Sequence, residues 1–140
     1  MLLHIIIGIL LFILTTAIHT GGMLLTMSRF RALLSGRGSH PRHSRLYLVG
    51  VVVNSMFLVA LLEIGVWAVT YLAVGAIGGF EKALYFSAVT FTTLGYGDIV
   101  LDEGWRLLAG FEAANGIIMF GWTTALVFAV VQWLYAGEKR

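Results

Sequence analysis

Long apolar runs separated by short polar breaks set the first reading of the chain. Residues 2–27 contain no Asp, Glu, Lys or Arg, and at ~1.5 Å per residue a helix over this run outreaches the ~30 Å hydrocarbon core of a bilayer. This predicts a first transmembrane helix over 1–27. Residues 28–45 reverse the composition, with Arg29, Arg31, Arg37, Arg42 and Arg45 and no acid. Gly36, Gly38 and Pro41 interrupt any helix there, so the segment reads as a basic loop with a new helix starting near Ser44. Residues 46–75 form a second apolar run broken by Asn54 and Glu63, with Trp67 and Tyr71 near its end read as interfacial anchors. The glycine-rich stretch 75–79 is a turn, and 80–92 is a helix of about a dozen residues, ~18 Å long and too short to cross a membrane. A third crossing is expected over 105–136, entered at Trp105 and Arg106.

Composition moves the whole chain into the bilayer. Of 140 residues, 59% are hydrophobic and 11% charged, with mean hydropathy +0.93, far outside the range of a small soluble domain. There is no cysteine, which excludes disulfides, thiolate metal sites and a cysteine nucleophile. No nucleophile, base and orienting partner recur at usable spacing, so no catalytic residues are assigned and an enzyme is not expected. The formal charge of +2 gives no footing for nucleic acid. Residues 1–4 lack the positive segment of a secretory leader, and no small-x-small cleavage site follows, so the first helix is expected to be retained. His4 and His19 fall near the ends of that run and are read as interfacial; His40 and His43 are read as solvated near lipid headgroups, not as metal ligands.

A short helix that enters the membrane and returns leaves non-helical backbone at membrane depth. Such backbone is tolerated only where it is buried in protein or lines a wet cavity. The stretch that follows this helix is Thr92-Thr93-Leu94-Gly95-Tyr96-Gly97-Asp98. Glycines at alternate positions allow positive φ, which lets successive carbonyls turn to one side. The stretch resembles the selectivity filter of small prokaryotic-type potassium channels, and 46–137 resembles their pore domain: outer helix 46–75, pore helix 80–92, filter 93–98, inner helix 105–136. Leu94 departs from the Val or Ile more usual there. The resemblance implies an all-α membrane protein with three transmembrane helices, a re-entrant pore helix and a filter loop, assembled from four copies. Potassium would be the permeant ion, held by oxygens of Thr93, Leu94, Gly95 and Tyr96, with no cofactor and no small-molecule substrate. Tyr85 and Phe86 match the aromatic pair packed around the filter, and Tyr85 is expected to donate to Asp98.

The basic segment predicts a cytoplasmic side by the positive-inside rule, with the amino terminus outside the plasma membrane and the carboxyl terminus within. Asp98, Asp102 and Glu103 then make an acidic outer mouth, which concentrates cations. Glu81 suits the amino end of the short helix, whose carbonyl end points toward the membrane centre. Ile117, Phe120, Thr124 and Phe128 share one helix face and are the expected cavity lining, Phe128 being the candidate constriction. Gly116 and Gly121 serve either as a bend or as sites of close helix approach. Glu63 and Glu112 lie roughly 5–12 Å below the outer interface. They are candidates to support the filter from behind, replacing the carboxyl that some relatives carry where this chain has Val89; the alternative is a protonated carboxyl satisfied by nearby backbone or hydroxyls. Beside the potassium reading stand a weakly selective cation channel and a proton-coupled transporter using the two carboxyls.

Overall fold

The computed structural model describes residues 2–34 and 42–136. Four helices account for most of them: α1 Leu2–Leu34, α2 Arg42–Ala73, α3 Phe80–Phe91 and α4 Arg106–Ala136. No strand occurs among the described residues. Three of the helices are long and apolar enough to cross a membrane, and α3, with 12 residues, is not.

α1 does not stop at Met27. It continues through Arg29 and Arg31 to Leu34, so the basic segment predicted as a loop over 28–45 begins as helix. Arginine is a good helix former, and the end of an apolar run marks the edge of the hydrocarbon, not the end of backbone hydrogen bonding. Gly36, Arg37, Gly38, His40 and Pro41 lie outside the described residues. α2 begins at Arg42, close to the expected start.

Two helices end in the same way. At the end of α2 the Ala76 N–H reaches the Tyr71 carbonyl at 2.9 Å and the Gly75 N–H reaches Leu72 at 3.1 Å, with Gly75 at φ 71°. This is a Schellman cap, in which a left-handed residue turns the chain back onto its last carbonyls. The turn delivers Gly79, at φ 95°, to the amino end of α3. The second such cap, at the end of α3, belongs to the site below.

Ring contacts fix the directions. His4 packs on Trp105 at one end of the molecule, with centroids 4.5 Å apart, and Phe30 packs on Trp133 at the other, at 5.8 Å. α1 and α4 therefore run side by side in the same direction, with α2 antiparallel to both and packed against each. One core surrounds α3 near the Trp105 end, built on Trp67, Tyr71, Phe86, Phe91, Leu108 and Met119. A smaller one joins Phe30, Leu48, Val52, Val130 and Leu134 near the Trp133 end. Large apolar side chains elsewhere face outward, as expected where the solvent is lipid.

Glycines let α1 lie close against the other helices. A Cβ at Gly8 would come within 2.7 Å of the Phe111 ring, and one at Gly22 would overlap Val59. Small residues at such contacts are the ordinary means of close helix approach in membranes.

Candidate functional site

The stretch from Thr92 to Asp98 hangs from the carboxyl end of α3. Thr92 closes the helix at φ −79°, and Thr93 then turns left-handed at φ 61°. The Leu94 N–H bonds to the Val89 carbonyl at 2.9 Å and the Thr93 N–H to Thr90 at 2.9 Å, the same pairing that ends α2. Here a threonine holds the position glycine usually takes. A β-branched residue at positive φ is rare and costs about 1–3 kcal/mol. Gly95 follows at φ 54° and Gly97 at φ 79°, while neither Leu94 nor Tyr96 has positive φ. The sign thus alternates at every residue from 93 to 97. Sequence reasoning assigned positive φ to the two glycines and missed Thr93, because only the capping geometry demands it.

Little within the chain covers this stretch. Leu94 is 56% and Tyr96 67% exposed. What ties it down is local: the Gly95 N–H also reaches the Val89 carbonyl, at 3.2 Å, and the Tyr85 hydroxyl donates to Asp98 Oδ2 at 2.8 Å, the bond expected from the two positions. That carboxylate holds the Tyr85 phenol above its ordinary range. Phe86, the other member of the aromatic pair, is buried and meets Tyr71 edge-on at 5.2 Å.

Behind α3 lies a polar cluster in an apolar setting. Glu112 of α4 is fully buried and accepts from the Tyr71 hydroxyl of α2 at 2.7 Å. Its other oxygen faces the Ser87 hydroxyl of α3, which also lies 2.8 Å from the Ile64 carbonyl. Ser87 has one proton for those two acceptors, unless Glu112 itself carries a proton and donates. Glu112 therefore joins α2, α3 and α4 at one point. Ser87 was not singled out from sequence. Trp67 and Tyr71, read there as interfacial anchors, are both fully buried: the apolar run is longer than the membrane needs, so distance from its end misjudged their surroundings.

Glu63 does not join that cluster. Its Oε1 lies 3.0 Å from Nδ1 of His19 on α1, and both side chains are buried to within 1%. His19 Nε2 approaches the Thr123 hydroxyl of α4 at 3.4 Å, and its ring faces Trp122 at 5.5 Å. Neither of the two readings made from position alone describes these residues: His19 is not interfacial, and the partner of Glu63 is His19 on α1. One further bond joins α1 to α4, from Asn115 Nδ2 to the Thr15 hydroxyl at 2.6 Å. A hundred residues separate that pair, so no local pattern could have announced it.

On α4, Ile117, Phe120 and Phe128 are exposed, as is Thr124, whose hydroxyl turns back to the Phe120 carbonyl at 2.8 Å. α4 is unbroken from Arg106 to Ala136. At Gly116 the α3 backbone rests directly on α4, and a Cβ would collide with the Phe91 carbonyl oxygen. Gly121 has open space around it. Of the two uses considered for these glycines, close approach is the one realised at Gly116.

A family model described as an ion channel matches residues 46–132, which takes in most of α2, all of α3, the loop after it and nearly all of α4. The chain belongs to this family, the pore-loop channels built on two membrane helices, and α1 lies outside the matched region. No curated protein and no solved structure matches the chain.

Proposed function

We propose that four copies of this chain surround a potassium-selective pore, in which backbone carbonyls of Thr93, Leu94, Gly95 and Tyr96 and the Thr93 hydroxyl take the place of the ion's water. The observation that carries this reading is the alternation of φ sign through Thr93, Gly95 and Gly97, held at the end of a helix too short to cross the bilayer. Chains that alternate between left- and right-handed backbone turn successive peptide groups to the same side, which a carbonyl-lined path needs. The exposure of Leu94 and Tyr96 in the single chain fits a surface that neighbouring copies would cover. Closed cyclic symmetry supplies those neighbours without a second kind of subunit.

In this assembly Ile117, Phe120, Thr124 and Phe128 face the inner cavity and Phe128 forms the narrowest apolar point. Asp98, Asp102 and Glu103 stand at the outer mouth. Arg29 and Arg31 stand at the opposite end, on the cytoplasmic side of the plasma membrane, with the amino terminus outside. Glu112 supports the filter from behind through Ser87, without itself facing the ion. Transport is passive, and potassium is cargo, not a cofactor.

Potassium and sodium flux into liposomes containing the purified chain tests the reading. Potassium entry well above sodium, abolished in Gly95→Ala, is the expected result; comparable entry of both ions would establish the weakly selective alternative. Uphill potassium accumulation driven by a proton gradient would instead establish the transporter reading built on Glu63 and Glu112.

A further inference from the structure

A groove of about 410 Å³ opens between α1 and α4 near the Trp133 end, with Met27, Phe30 and Arg31 on one wall and Leu126, Val130 and Trp133 on the other. Its lining is almost wholly apolar apart from the Arg31 head group. From Trp105 to Trp133 α4 rises about 42 Å, close to the ~40–45 Å of a bilayer with its headgroups. Phe30 and Trp133 touch, which places the neighbouring Arg31 at headgroup depth, while Met27 and Leu126 reach further into the hydrocarbon.

Arg31 is exposed and forms no ion pair among the described residues. Residues 1–62 and 113–140 carry seven Lys or Arg against a single acid, Glu138, so protein counter-ions are scarce in the segments that flank the groove. At 100° per residue, Leu126, Val130 and Trp133 point about half a turn away from Ile117, Phe120, Thr124 and Phe128. If the latter four face the axis, as the proposed pore requires, the groove faces lipid and not the neighbouring subunit.

We propose that this groove is a binding site for one anionic phospholipid, its acyl chain lying along Phe30, Leu126 and Val130 and its phosphate paired with Arg31. The extra helix then does more than pack beside the pore unit: together with α4 it makes a lipid-reading site on the helix that lines the cavity. The assignment of the groove to lipid rests on the pore reading, because that reading decides which way α4 faces.

Trp133 is 60% exposed and lines the groove, which supplies a reporter. The full chain is reconstituted in vesicles of brominated phosphatidylcholine, with and without brominated phosphatidylglycerol, and the Trp133 signal is taken as the difference between wild type and Trp133→Phe. A site of this kind predicts about a fivefold preference of that signal for the anionic lipid. Arg31→Gln should abolish the preference. Arg29→Gln should leave it intact, since Arg29 lines a different groove, against Leu58 and Val59 of α2. Equal quenching by the two lipids overturns the proposal, as does equal loss in both arginine variants, which would reduce it to general surface attraction. Absence of quenching by either lipid also overturns it and puts a second copy in the groove. Potassium flux in matching unbrominated vesicles separates the two readings: flux without lipid preference removes the lipid site alone, and preference without flux removes the pore.

Discussion

Thr93 carries two demands that pull in different directions. As the left-handed residue of the α3 cap it would be better as glycine, while as part of the proposed ion path it contributes a hydroxyl that glycine lacks. Thr93→Gly should therefore relieve backbone strain and raise stability by about 1 kcal/mol, while potassium selectivity falls. Thermal unfolding in detergent and reversal potentials check the two halves separately. The Tyr85 to Asp98 bond is exposed and contributes little to folding, so Tyr85→Phe should leave stability near wild type. Its expected effect is faster decay of potassium current during sustained conduction, measured in planar bilayers. Glu112 has a different balance, because all its partners are buried. A glutamine can accept from Tyr71 and donate to Ser87, so Glu112→Gln should fold normally. Glu112→Leu leaves the Tyr71 hydroxyl without its acceptor, while Ser87 keeps the Ile64 carbonyl, so the cost is about 1–3 kcal/mol, readable as a lower unfolding midpoint.

At the scale of the element, the contact between α3 and α4 depends on one missing side chain. Gly116→Ala would drive a methyl group against the Phe91 carbonyl, and overpacking of this kind costs about 1–3 kcal/mol. Because the same turn of α3 supplies the Val89 and Thr90 carbonyls that anchor Thr93, Leu94 and Gly95, the displacement should reach the proposed filter. Gly116→Ala is expected to lower potassium-over-sodium discrimination, whereas Gly121→Ala, with open space around it, should not; paired flux measurements compare them. The ion pair at the start of α4, Arg106 with Glu103 at 3.9 Å, is largely solvent-exposed and adds little. What aims α4 is the Leu101 carbonyl, which accepts from Arg106 Nε at 3.2 Å, and the turn closing Trp105 N–H onto the Asp102 carbonyl at 2.8 Å.

For the molecule as a whole, α1 is keyed to the channel unit by buried polar pairs as well as by apolar contact. His19 with Glu63 and Thr15 with Asn115 tie it to α2 and α4 at two levels. Removing one member of a buried hydrogen-bonded pair strands the other, so His19→Ala should cost about 1–3 kcal/mol. Replacing both, as His19→Leu with Glu63→Leu, should recover most of that loss, since an apolar pair of similar volume suits an apolar setting. Chemical unfolding of the single and double variants decides whether the pair acts as such.

The membrane class, the three crossings, the short helix α3 and the Gly95-Tyr96-Gly97 signal were all legible from the amino-acid sequence. Each is a local property: apolar length sets the number of spans, and glycine spacing sets where the backbone can turn left-handed. The Tyr85 to Asp98 bond was expected from the resemblance at those two positions, and it joins partners 13 residues apart in the chain. Where α1 ends was misread, because hydropathy reports the solvent and not the helix. Which buried carboxyl meets α3 and which meets α1 was decided by tertiary structure alone: Glu63 and Glu112 look alike along the chain, and only the packing of four helices assigns one to His19 and the other to Ser87 and Tyr71. The cause is geometric. A helix repeats its faces every few residues, so sequence can say that a polar side chain must find a partner within the membrane, but the partner itself depends on how neighbouring helices are rotated and staggered.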